Sequence, residues 1–477
     1  MKNAARSYDF LWLSIALFPL LIIALLLPIQ PHDYWWYLRL GKDILQTGAV
    51  PVVDTYSSIQ AGQPVVYQSW LAAISLWLAY KVGGISFTVF LLATLIGLTY
   101  SMLWIIMRQS GVGPRLATVL VLLAGLSGSN NWGVRPQMFT YPLFLVLLWV
   151  LLKWQDHKST LLWLLPVLSL AWTNLHGSFI LFFIIVGLAL ILGRGDRKQL
   201  LFVSLVSLAV TLINPRGIDL WKSVIGTFTS PGIRDLSPEW LPPLNMGWQM
   251  NIFFAWLILL VPLAAFARQR LFTFQWALFL SFSWLALSGT RYVIWDLFVI
   301  SILTALLIPE SILRWFDRPQ EIKNPGINLS LGIILLLMSF VFSPGSREHW
   351  WDQAPASIDA QTPLAAAAWL IEHPELRGPM WNDVVFGSYL IYALPSRPVW
   401  IDTRIQVIFT REQADQYLFV QSAGSGWDTF LEKKGVNLLI LARTQPAIVK
   451  AAQNSSQWCE QYHDDVAVIF SRCEPLQ

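Results

Sequence analysis

The stretch QPHDYWWYLRLGKDILQTG, which begins at Gln30, places an acid, a histidine and several aromatic and basic side chains directly after a long apolar run. Its carboxylate, on Asp33, has the chemistry of a general base that takes a proton from a hydroxyl group. These residue types are compatible with acid–base chemistry at a membrane surface and also with purely structural roles. We expect the substrate to contact four neighbours of the acid, which are His32, Trp35, Trp36 and Arg39.

The residues after Asp33 have the pattern of an amphipathic helix. From Tyr34 to Gln46, apolar and charged side chains recur at helical spacing, and Gly48 is a natural stop. We expect this helix to lie at the membrane surface with its tryptophans at headgroup depth. Asp33 then has a structural interpretation as well, as the N-cap of the helix. The residues leave both interpretations open, and the tryptophans are suited both to stacking on sugar rings and to anchoring the helix.

Two further acids are candidates. Asp54, in PVVDTYSS, is either a reserve candidate for the base or a turn residue that caps the following TYSS. Asp296, in TRYVIWDLFVI, lies more than one helical turn into an apolar segment, where a carboxylate needs a partner in the protein interior. We therefore expect Asp296 either to bind a polar group of the substrate or to pair within the helix bundle.

Besides Arg216 in INPRG, three basic side chains on the predicted outer side occur in short polar stretches between apolar runs. They are Arg135 in NWGVRPQ, His176 in NLHGS and Arg291 in SGTRY. Cationic side chains at such positions bind phosphate groups, and arginines there also extend to lipid headgroups. All three are candidates to contact a phosphate or a sugar, while headgroup contact for the arginines and a structural role for the histidine stay open.

The composition is that of a membrane protein. Of the 477 residues, 55% are hydrophobic and 13% are charged, whereas soluble domains have about 25% charged residues. The net charge is +4, and no basic patch indicates binding of nucleic acid. The first apolar run is too long for a signal peptide and no cleavage site of small residues follows it, so it predicts a membrane helix.

Apolar runs occur along most of the chain, and the short ones must extend into their flanks to cross a bilayer. They lie near 9–29, 85–107, 114–130, 136–152, 160–175, 178–193, 200–213, 250–267, 272–288, 291–308 and 326–344. A further run, 69–80, is short and ends at YKVGG. If that run does not cross, every inner loop has at least two basic residues, as the positive-inside rule requires. The sequence thus predicts a polytopic α-helical protein of about eleven crossings, with a range of about 11 to 13.

With this topology the N-terminus lies in the cytoplasm, and the first loop (30–84) and the tail (345–477) lie outside. We expect residues 1–344 to form a bundle in a bacterial cytoplasmic membrane. In the tail, helix-like pieces such as TPLAAAAWLIEH alternate with strand-like pieces such as VNLLILA, which predicts an extracytoplasmic α/β domain with a partly parallel sheet. Cys459 and Cys473 fall in this domain, where a disulfide is permitted, and two free thiols are an equal alternative.

No motif for a nucleotide or for zinc occurs, because the sequence has no GxxxxGK[ST], no pair of CxxC motifs and no HExxH. HDD, at residues 463–465, is interpreted as a hairpin turn. WIDTR closes a predicted strand of the tail, and its Asp402 and Arg404 are interpreted as an ion pair within that domain. We therefore predict no cofactor, and a requirement for a divalent metal stays open.

The order of a first helix, an acid at its outer end, an amphipathic helix, a bundle and an outer α/β domain resembles the GT-C superfamily of membrane glycosyltransferases. The first loop is similar to the pattern D-x-W-x-x-L-x-x-G of bacterial members, here Asp33, Trp35, Leu38 and Gly41. Five later pieces also look like this group, namely VRPQMF, NLHGSF, INPRG, SPEW and WIDTR. This chain lacks the usual second acid beside the first, because His32 and Tyr34 flank Asp33.

The resemblance implies an enzyme that moves a sugar from a polyprenyl-phosphate-linked donor to an acceptor on the outer face of the membrane. It implies that Asp33 acts as the base or binds the acceptor, with Asp54 in reserve. The implied partners are the lipid-linked donor, membrane lipids and a glycan, lipid or protein acceptor, and no nucleic acid. The alternative is a non-enzymatic transporter or scaffold for lipid-linked glycans, and a transporter needs a path between the two leaflets.

The predicted topology can be tested with single introduced cysteines and a membrane-impermeant maleimide, in a variant whose own cysteines are serine. Because loops rich in basic residues stay inside, we expect labelling at exposed positions in 50–65 and 345–477. At 318–323 we expect labelling only after the membrane is permeabilised. Labelling at 318–323 in intact cells, with none in 345–477, would reverse the predicted orientation.

Overall fold

The structure is a computed structural model that describes residues 2–156, 159–229, 237–267, 270–309 and 324–473. Five basic residues of the predicted inner loops lie outside the described residues, namely Lys158, Arg268, Arg314, Arg318 and Lys323. Contacts divide the chain into two compact units. The bundle unit comprises Met1–Leu27, Gly83–Asn214 and Ser237–Pro355, and the loop–tail unit comprises Pro28–Val82, Pro215–Leu236 and Ala356–Gln477.

Helices dominate both units. In the described residues the α-helices are Lys2–Leu26 (α1), Tyr34–Thr47 (α2), Trp70–Gln109 (α3), Pro114–Gly128 (α4), Thr140–Gln155 (α5), Leu164–Leu175 (α6), Ile180–Leu192 (α7), Arg197–Val210 (α8), Asp219–Thr229 (α9), Gly247–Phe266 (α10), Thr273–Ser288 (α11), Val293–Leu307 (α12), Pro325–Ser339 (α13), Pro344–Trp350 (α14), Leu364–Glu372 (α15), Val384–Ala393 (α16), Ile405–Ile408 (α17), Arg411–Gln421 (α18), Trp427–Lys433 (α19) and Pro446–Gln453 (α20).

Each apolar run that the sequence predicts as a crossing corresponds to a helix of the structure. Within the described ranges, six helical segments are long and apolar enough to span a membrane: Arg6–Leu26, Trp70–Gln109, Pro136–Gln155, Gly247–Phe266, Thr290–Leu307 and Pro325–Phe342. Thr160–Leu175 and Gly177–Leu192 are apolar but shorter. The chain is therefore a multi-pass membrane protein, and the number of about eleven crossings stays a prediction.

Helix α3 spans 40 residues but is not one continuous helix. It is broken at Gly83 and Gly84, whose backbone is not helical, and Gly84 has a φ of 60°, a value that favours glycine. The run 69–80, whose crossing decides the predicted topology, is the part of α3 before this break and belongs to the loop–tail unit.

Small residues allow the first helix to pack closely within the bundle unit. A Cβ atom at Gly332 of α13 would overlap Phe10 of α1, and one at Gly125 of α4 would overlap Leu20 of α1. Arg347 is fully buried and donates from Nη1 to the carbonyl oxygen of Leu25 at 2.8 Å. This bond satisfies a free carbonyl in the last turn of α1, so the C-terminal end of the first helix is fixed.

The loop–tail unit contains a four-stranded mixed sheet in the order β1-β2-β4-β3. The strands are Met380–Asn382 (β1), Leu438–Ala442 (β2), Trp458–His463 (β3) and Ala467–Arg472 (β4). β1 pairs with β2 in parallel, and β4 pairs antiparallel with both β2 and β3. Every residue of β2 is buried, as expected for a strand covered on both faces.

The first loop packs into one of the two cores of this sheet. Trp36, Leu40 and Ile44 of α2 belong to the same buried cluster as Phe386 and Leu390 of α16 and the facing residues of β1, β2 and β4. The other face packs against α17 to α20. The apolar side of α2, which the sequence predicts at the membrane surface, therefore contacts protein.

Backbone hydrogen bonds join the same loop to the tail. The amide of Ser58 donates to the carbonyl oxygen of Val399 at 2.8 Å, and the amide of Val399 donates to that of Tyr56 at 2.9 Å. The sequence-based division places residues 30–84 with the bundle and starts the second domain at residue 345, whereas these contacts group the first loop with the tail from Ala356 onward.

A disulfide joins Cys459 of β3 to Cys473, which follows β4. Antiparallel pairing brings the two residues together, since Cys459 lies opposite Ser471 and the amide of Cys473 donates to the carbonyl oxygen of Gln457 at 3.0 Å. Of the two alternatives that the sequence leaves open, the structure has the bridged one.

The bridge leads to a measurable expectation. Alkylation of the unfolded but unreduced protein should add no mass, and alkylation after reduction should modify two cysteines. The bridge closes a loop of 14 residues, so changing both cysteines to serine should lower the free energy of unfolding of the loop–tail unit by about 3 kcal/mol. Alkylation of both thiols without reduction would contradict the bridge.

Candidate functional site

Asp33 lies directly before α2, but its side chain does not cap that helix. An N-cap carboxylate commonly accepts a hydrogen bond from the N–H group three residues further on, which here belongs to Trp36. That N–H group donates to Oγ of Ser388 at 3.3 Å instead. Oδ1 of Asp33 instead accepts a hydrogen bond of 2.8 Å from the hydroxyl group of Thr403. The capping interpretation therefore does not describe this carboxylate, which is half-buried and bound to a residue of the tail.

The two tryptophans after Asp33 are core residues. Trp35 and Trp36 are 2% and 7% exposed. The indole N–H of Trp35 donates to the carbonyl oxygen of Gln30 at 3.1 Å, and its ring centroid lies 4.9 Å from that of Tyr389. Their faces are covered by protein, so in this structure they anchor α2 and offer no platform for a sugar. His32, by contrast, is exposed.

Arg39, one turn further along α2, is already partnered. Its Nε lies 2.8 Å from both carboxylate oxygens of Asp43, and the hydroxyl group of Tyr56 donates to the same carboxylate at 2.8 Å. These bonds fix the polar side of α2 against Tyr56, which lies later in the first loop.

Asp54 is 1% exposed and lies in a buried ionic group. Its Oδ1 accepts bonds from Arg404 Nη1 at 2.5 Å and from the hydroxyl of Tyr67 at 3.2 Å, and its Oδ2 accepts from the amide of Ser57 at 2.9 Å. Arg404 also binds Asp402 through two hydrogen bonds of 2.8 and 2.6 Å. The predicted pairing of Asp402 with Arg404 is present, and Asp54 serves as its third member and as the turn residue of TYSS.

Charges decide the protonation of this ionic group. Burial alone would lower the pKa of Arg404, but the carboxylates of Asp402 and Asp54 raise it well above its ordinary value. Burial raises the pKa of Tyr67, whose hydroxyl accepts from Arg404 Nη1 at 2.9 Å. The tyrosine therefore stays neutral and bridges the two charged partners.

The predicted basic residues form a second cluster, in the bundle unit. Glu239 accepts from Arg135 Nη1 at 2.8 Å through Oε2 and pairs with Arg291 Nη1 at 3.3 Å through Oε1. The guanidinium group of Arg291 also lies 4.1 Å from the ring centroid of Trp240. Among the described residues, two guanidinium groups thus share the carboxylate of Glu239.

Short 3-10 turns position all members of this cluster. Arg135 precedes the turn Pro136–Phe139, His176 precedes Gly177–Phe179, and Glu239 and Arg291 lie in Pro238–Trp240 and Thr290–Tyr292. The last two turns are joined because the amide of Thr290 donates to the carbonyl oxygen of Leu241 at 2.9 Å. Three of the four turns lead directly into an apolar helix, so the cluster lies where helices begin.

His176 is a neutral hydrogen-bond donor in this cluster. Its Nδ1 accepts from the amide of Ser178 at 3.1 Å, and a backbone N–H group can only donate, so the proton of the neutral ring is on Nε2. Burial and the nearby guanidinium groups of Arg291 and Arg135 lower the pKa of His176 to about 3. The Nε2–H group makes no hydrogen bond to any described residue.

Asp296, in the first turn of α12, is fully buried. Oδ1 accepts a long hydrogen bond of 3.4 Å from the hydroxyl of Ser283. In the part of the chain that the structure describes, Oδ2 has no hydrogen-bond partner. Ser283 is thus the hydrogen-bond partner of Asp296 within the bundle among the described residues.

The structure thus groups the predicted residues by unit. Arg135, His176 and Arg291 come together in the bundle unit, and Asp33, Trp35, Trp36, Arg39 and Asp54 lie in the loop–tail unit. Two members were missed by sequence reasoning: Glu239 of SPEW and Thr403 of WIDTR. Both lie in pieces noted for their resemblance, and that was the available signal.

No group of three or more histidine, cysteine, aspartate or glutamate side chains that could hold a metal ion is found among the described residues. An open pocket of about 540 Å³ in the loop–tail unit is lined by residues including Leu370, Arg377, Leu394 and Arg397. It contains none of the predicted site residues.

No protein-family model matches the sequence, and no curated protein matches it at a significant level. Among solved structures, the fold is similar to the archaeal oligosaccharyltransferase AglB from Archaeoglobus fulgidus, in complex with an inhibitory peptide and a dolichol-phosphate. The TM-score is 0.60 at 11% identity, over 90% of this chain and 69% of that chain. ArnT from Cupriavidus metallidurans in the apo state has a TM-score of 0.55 at 12% identity, over 98% of each chain.

Both neighbours are GT-C glycosyltransferases. At these sequence identities the similarity concerns the fold alone. It agrees with the resemblance that the first loop and the order of elements suggest in the sequence. The chain therefore has the fold of the GT-C membrane glycosyltransferases.

Proposed function

We propose that this chain is a membrane glycosyltransferase that moves a sugar from a polyprenyl-phosphate-linked donor to an acceptor on the outer face of the membrane. The observation that carries the proposal is the cluster of Arg135 and Arg291 around Glu239, in a chain with the GT-C fold. The dolichol-phosphate in the AglB complex supports the class of donor.

The arginine cluster suits the leaving group of this reaction. The polyprenyl phosphate leaves with the electron pair of the bond to the sugar and gains negative charge. Among the described residues, the guanidinium groups of Arg135 and Arg291 lie at one carboxylate, and charge-assisted hydrogen bonds from guanidinium groups to phosphate oxygens are strong ones. The neutral His176 adds an Nε2–H donor that its low pKa of about 3 keeps uncharged at neutral pH.

Asp33 suits the other half of the reaction. The acceptor hydroxyl gives its proton to the carboxylate, the hydroxyl oxygen forms a bond to the anomeric carbon, and the bond from that carbon to the phosphate oxygen breaks. Oδ2 of Asp33 makes no hydrogen bond to any described residue, whereas Oδ1 is bound by Thr403. Asp54 is a poor choice for this role, since its carboxylate is buried against Arg404.

The base assignment is tested with Asp33→Asn in cells that lack the native protein. We expect transfer, measured by mass spectrometry as the appearance of the glycan that wild type restores, to fall by about 10² to 10⁴. Asparagine keeps the size of the side chain and can still accept from Thr403, so expression and binding of undecaprenyl phosphate should be retained.

A matched control is Asp352→Asn, because Asp352 is an exposed aspartate without a hydrogen bond to a described residue. It removes the same charge and should leave transfer unchanged. Near-normal transfer by Asp33→Asn would remove Asp33 as the base. A restored glycan that depends on neither Asp33 nor the arginines would favour the transporter.

The phosphate assignment is tested by binding of undecaprenyl phosphate to the full-length protein in nanodiscs. Arg135→Gln and Arg291→Gln should each weaken binding by about 10- to 100-fold, since each removes a charge-assisted hydrogen bond. Arg115→Gln removes the same charge from the bundle unit at a residue bound to the hydroxyl of Tyr8, and it should bind as wild type does. Unchanged affinity in both cluster variants would contradict the phosphate site.

A further inference from the structure

The hydrogen bond between Thr403 and Asp33 joins two residues that are 370 positions apart in the chain. An ionised carboxylate can only accept, so the threonine hydroxyl is the donor. The carboxylate of Asp33 makes no capping bond to α2, and the N–H of Trp36 donates to Ser388 instead. The bond from Thr403 therefore restricts rotation of the carboxylate and leaves Oδ2 without a bond to a described residue.

The residues directly before and after Thr403 in the chain are fixed by hydrogen bonds and ion pairs. The amide of Arg404 donates to Oδ1 of Asp402 at 2.9 Å, which closes a turn with Thr403 at its centre. The side chains of Asp402 and Arg404 are 0% and 1% exposed, and their ion pair extends to Asp54. A residue between two such neighbours has little freedom to move its hydroxyl group.

Helix α16 supports both ends of the bond. A Cβ atom at Gly387 would overlap the carbonyl oxygen of Ile401, so the segment before Thr403 lies directly against this helix. The next residue, Ser388, accepts from the amide of Trp36 in the first turn of α2. The two segments that carry the acid and the hydroxyl group are thus fixed to neighbouring residues of one helix.

An asparagine completes this support. Oδ1 of Asn382, at the end of β1, accepts from the amide of Trp400 at 2.7 Å, and its Nδ2 donates to the carbonyl oxygen of Ile401 at 2.8 Å. The backbone that leads to Thr403 is therefore attached to the sheet as well as to α16.

We propose that Thr403 is a positioning residue that orients the carboxylate of Asp33 for proton transfer. This inference rests on the proposed function, because it concerns the side chain proposed as the base. With this role the tail contributes a side chain to the proposed chemistry of the first loop, in addition to packing against that loop.

The test compares Thr403→Val, which removes the hydroxyl group and keeps the shape of the side chain, with Thr403→Ser, which keeps the hydroxyl. Thr403→Val should lower the initial rate of glycan transfer about tenfold or more, the factor expected for a hydrogen bond to a charged group. Binding of undecaprenyl phosphate to the full chain in nanodiscs should not change, and Thr403→Ser should recover most of the rate.

Thr362→Val is the matched control in the same unit. Thr362 is buried, and its hydroxyl group has no hydrogen-bond partner among the described residues. The control should transfer as wild type does, and the thermal midpoints of the two valine variants should be similar.

A double variant separates positioning from a structural role. Because Thr403 acts through Asp33, adding Thr403→Val to Asp33→Asn should not lower the residual rate further. An additive loss, or a normal rate in Thr403→Val alone, would overturn the inference while a loss in Asp33→Asn leaves the proposed function intact. Normal transfer by Asp33→Asn would overturn both.

Discussion

The loop–tail unit depends on the burial of one guanidinium group. Arg404 is 3% exposed, and its charge is matched by Asp402 beside it and by Asp54 from the first loop, 350 residues away. Removing one partner of a buried pair leaves an uncompensated charge and typically costs about 3–5 kcal/mol. The ionic group therefore ties the first loop to the tail more strictly than apolar packing would, because it tolerates neither a shift of register nor the loss of either segment.

This constraint explains why α2 is a core helix. Its position after an apolar run, its aromatic residues and the glycine that ends it predict an amphipathic helix, and the structure has that helix at Tyr34–Thr47 with Gly48 in the left-handed conformation. The sequence does not say what covers its apolar side. A tryptophan suits a membrane interface and a protein core equally well, and the choice depends on the tail that packs against it.

The same limit applies to the charged residues. The arginines could be singled out as cations in short polar stretches between apolar runs, and Arg135, His176 and Arg291 do lie in one cluster. Glu239 and Thr403 could not be assigned to partners, although both lie in pieces noted for their resemblance. Their partners are 104 and 370 positions away, and pairings across such distances follow from the packing of helices and strands that a single sequence does not specify. The Gly83–Gly84 dipeptide could be recognised in the sequence. The sequence did not indicate that the break at this dipeptide separates two compact units.

The interleaved order of the loop–tail unit has a consequence for biosynthesis. Its segments come from the beginning, the middle and the end of the chain, so α2 is synthesised long before the strands and helices that cover it. At about 5–20 residues per second, the ribosome needs about 20 to 75 seconds to add the 370 residues that separate Asp33 from Thr403. During that interval most membrane helices are inserted while the apolar side of α2 has no native partner. A chain that stops before WIDTR would lack Thr403 and the strands β2 and β4, which contribute to the buried cluster that covers α2.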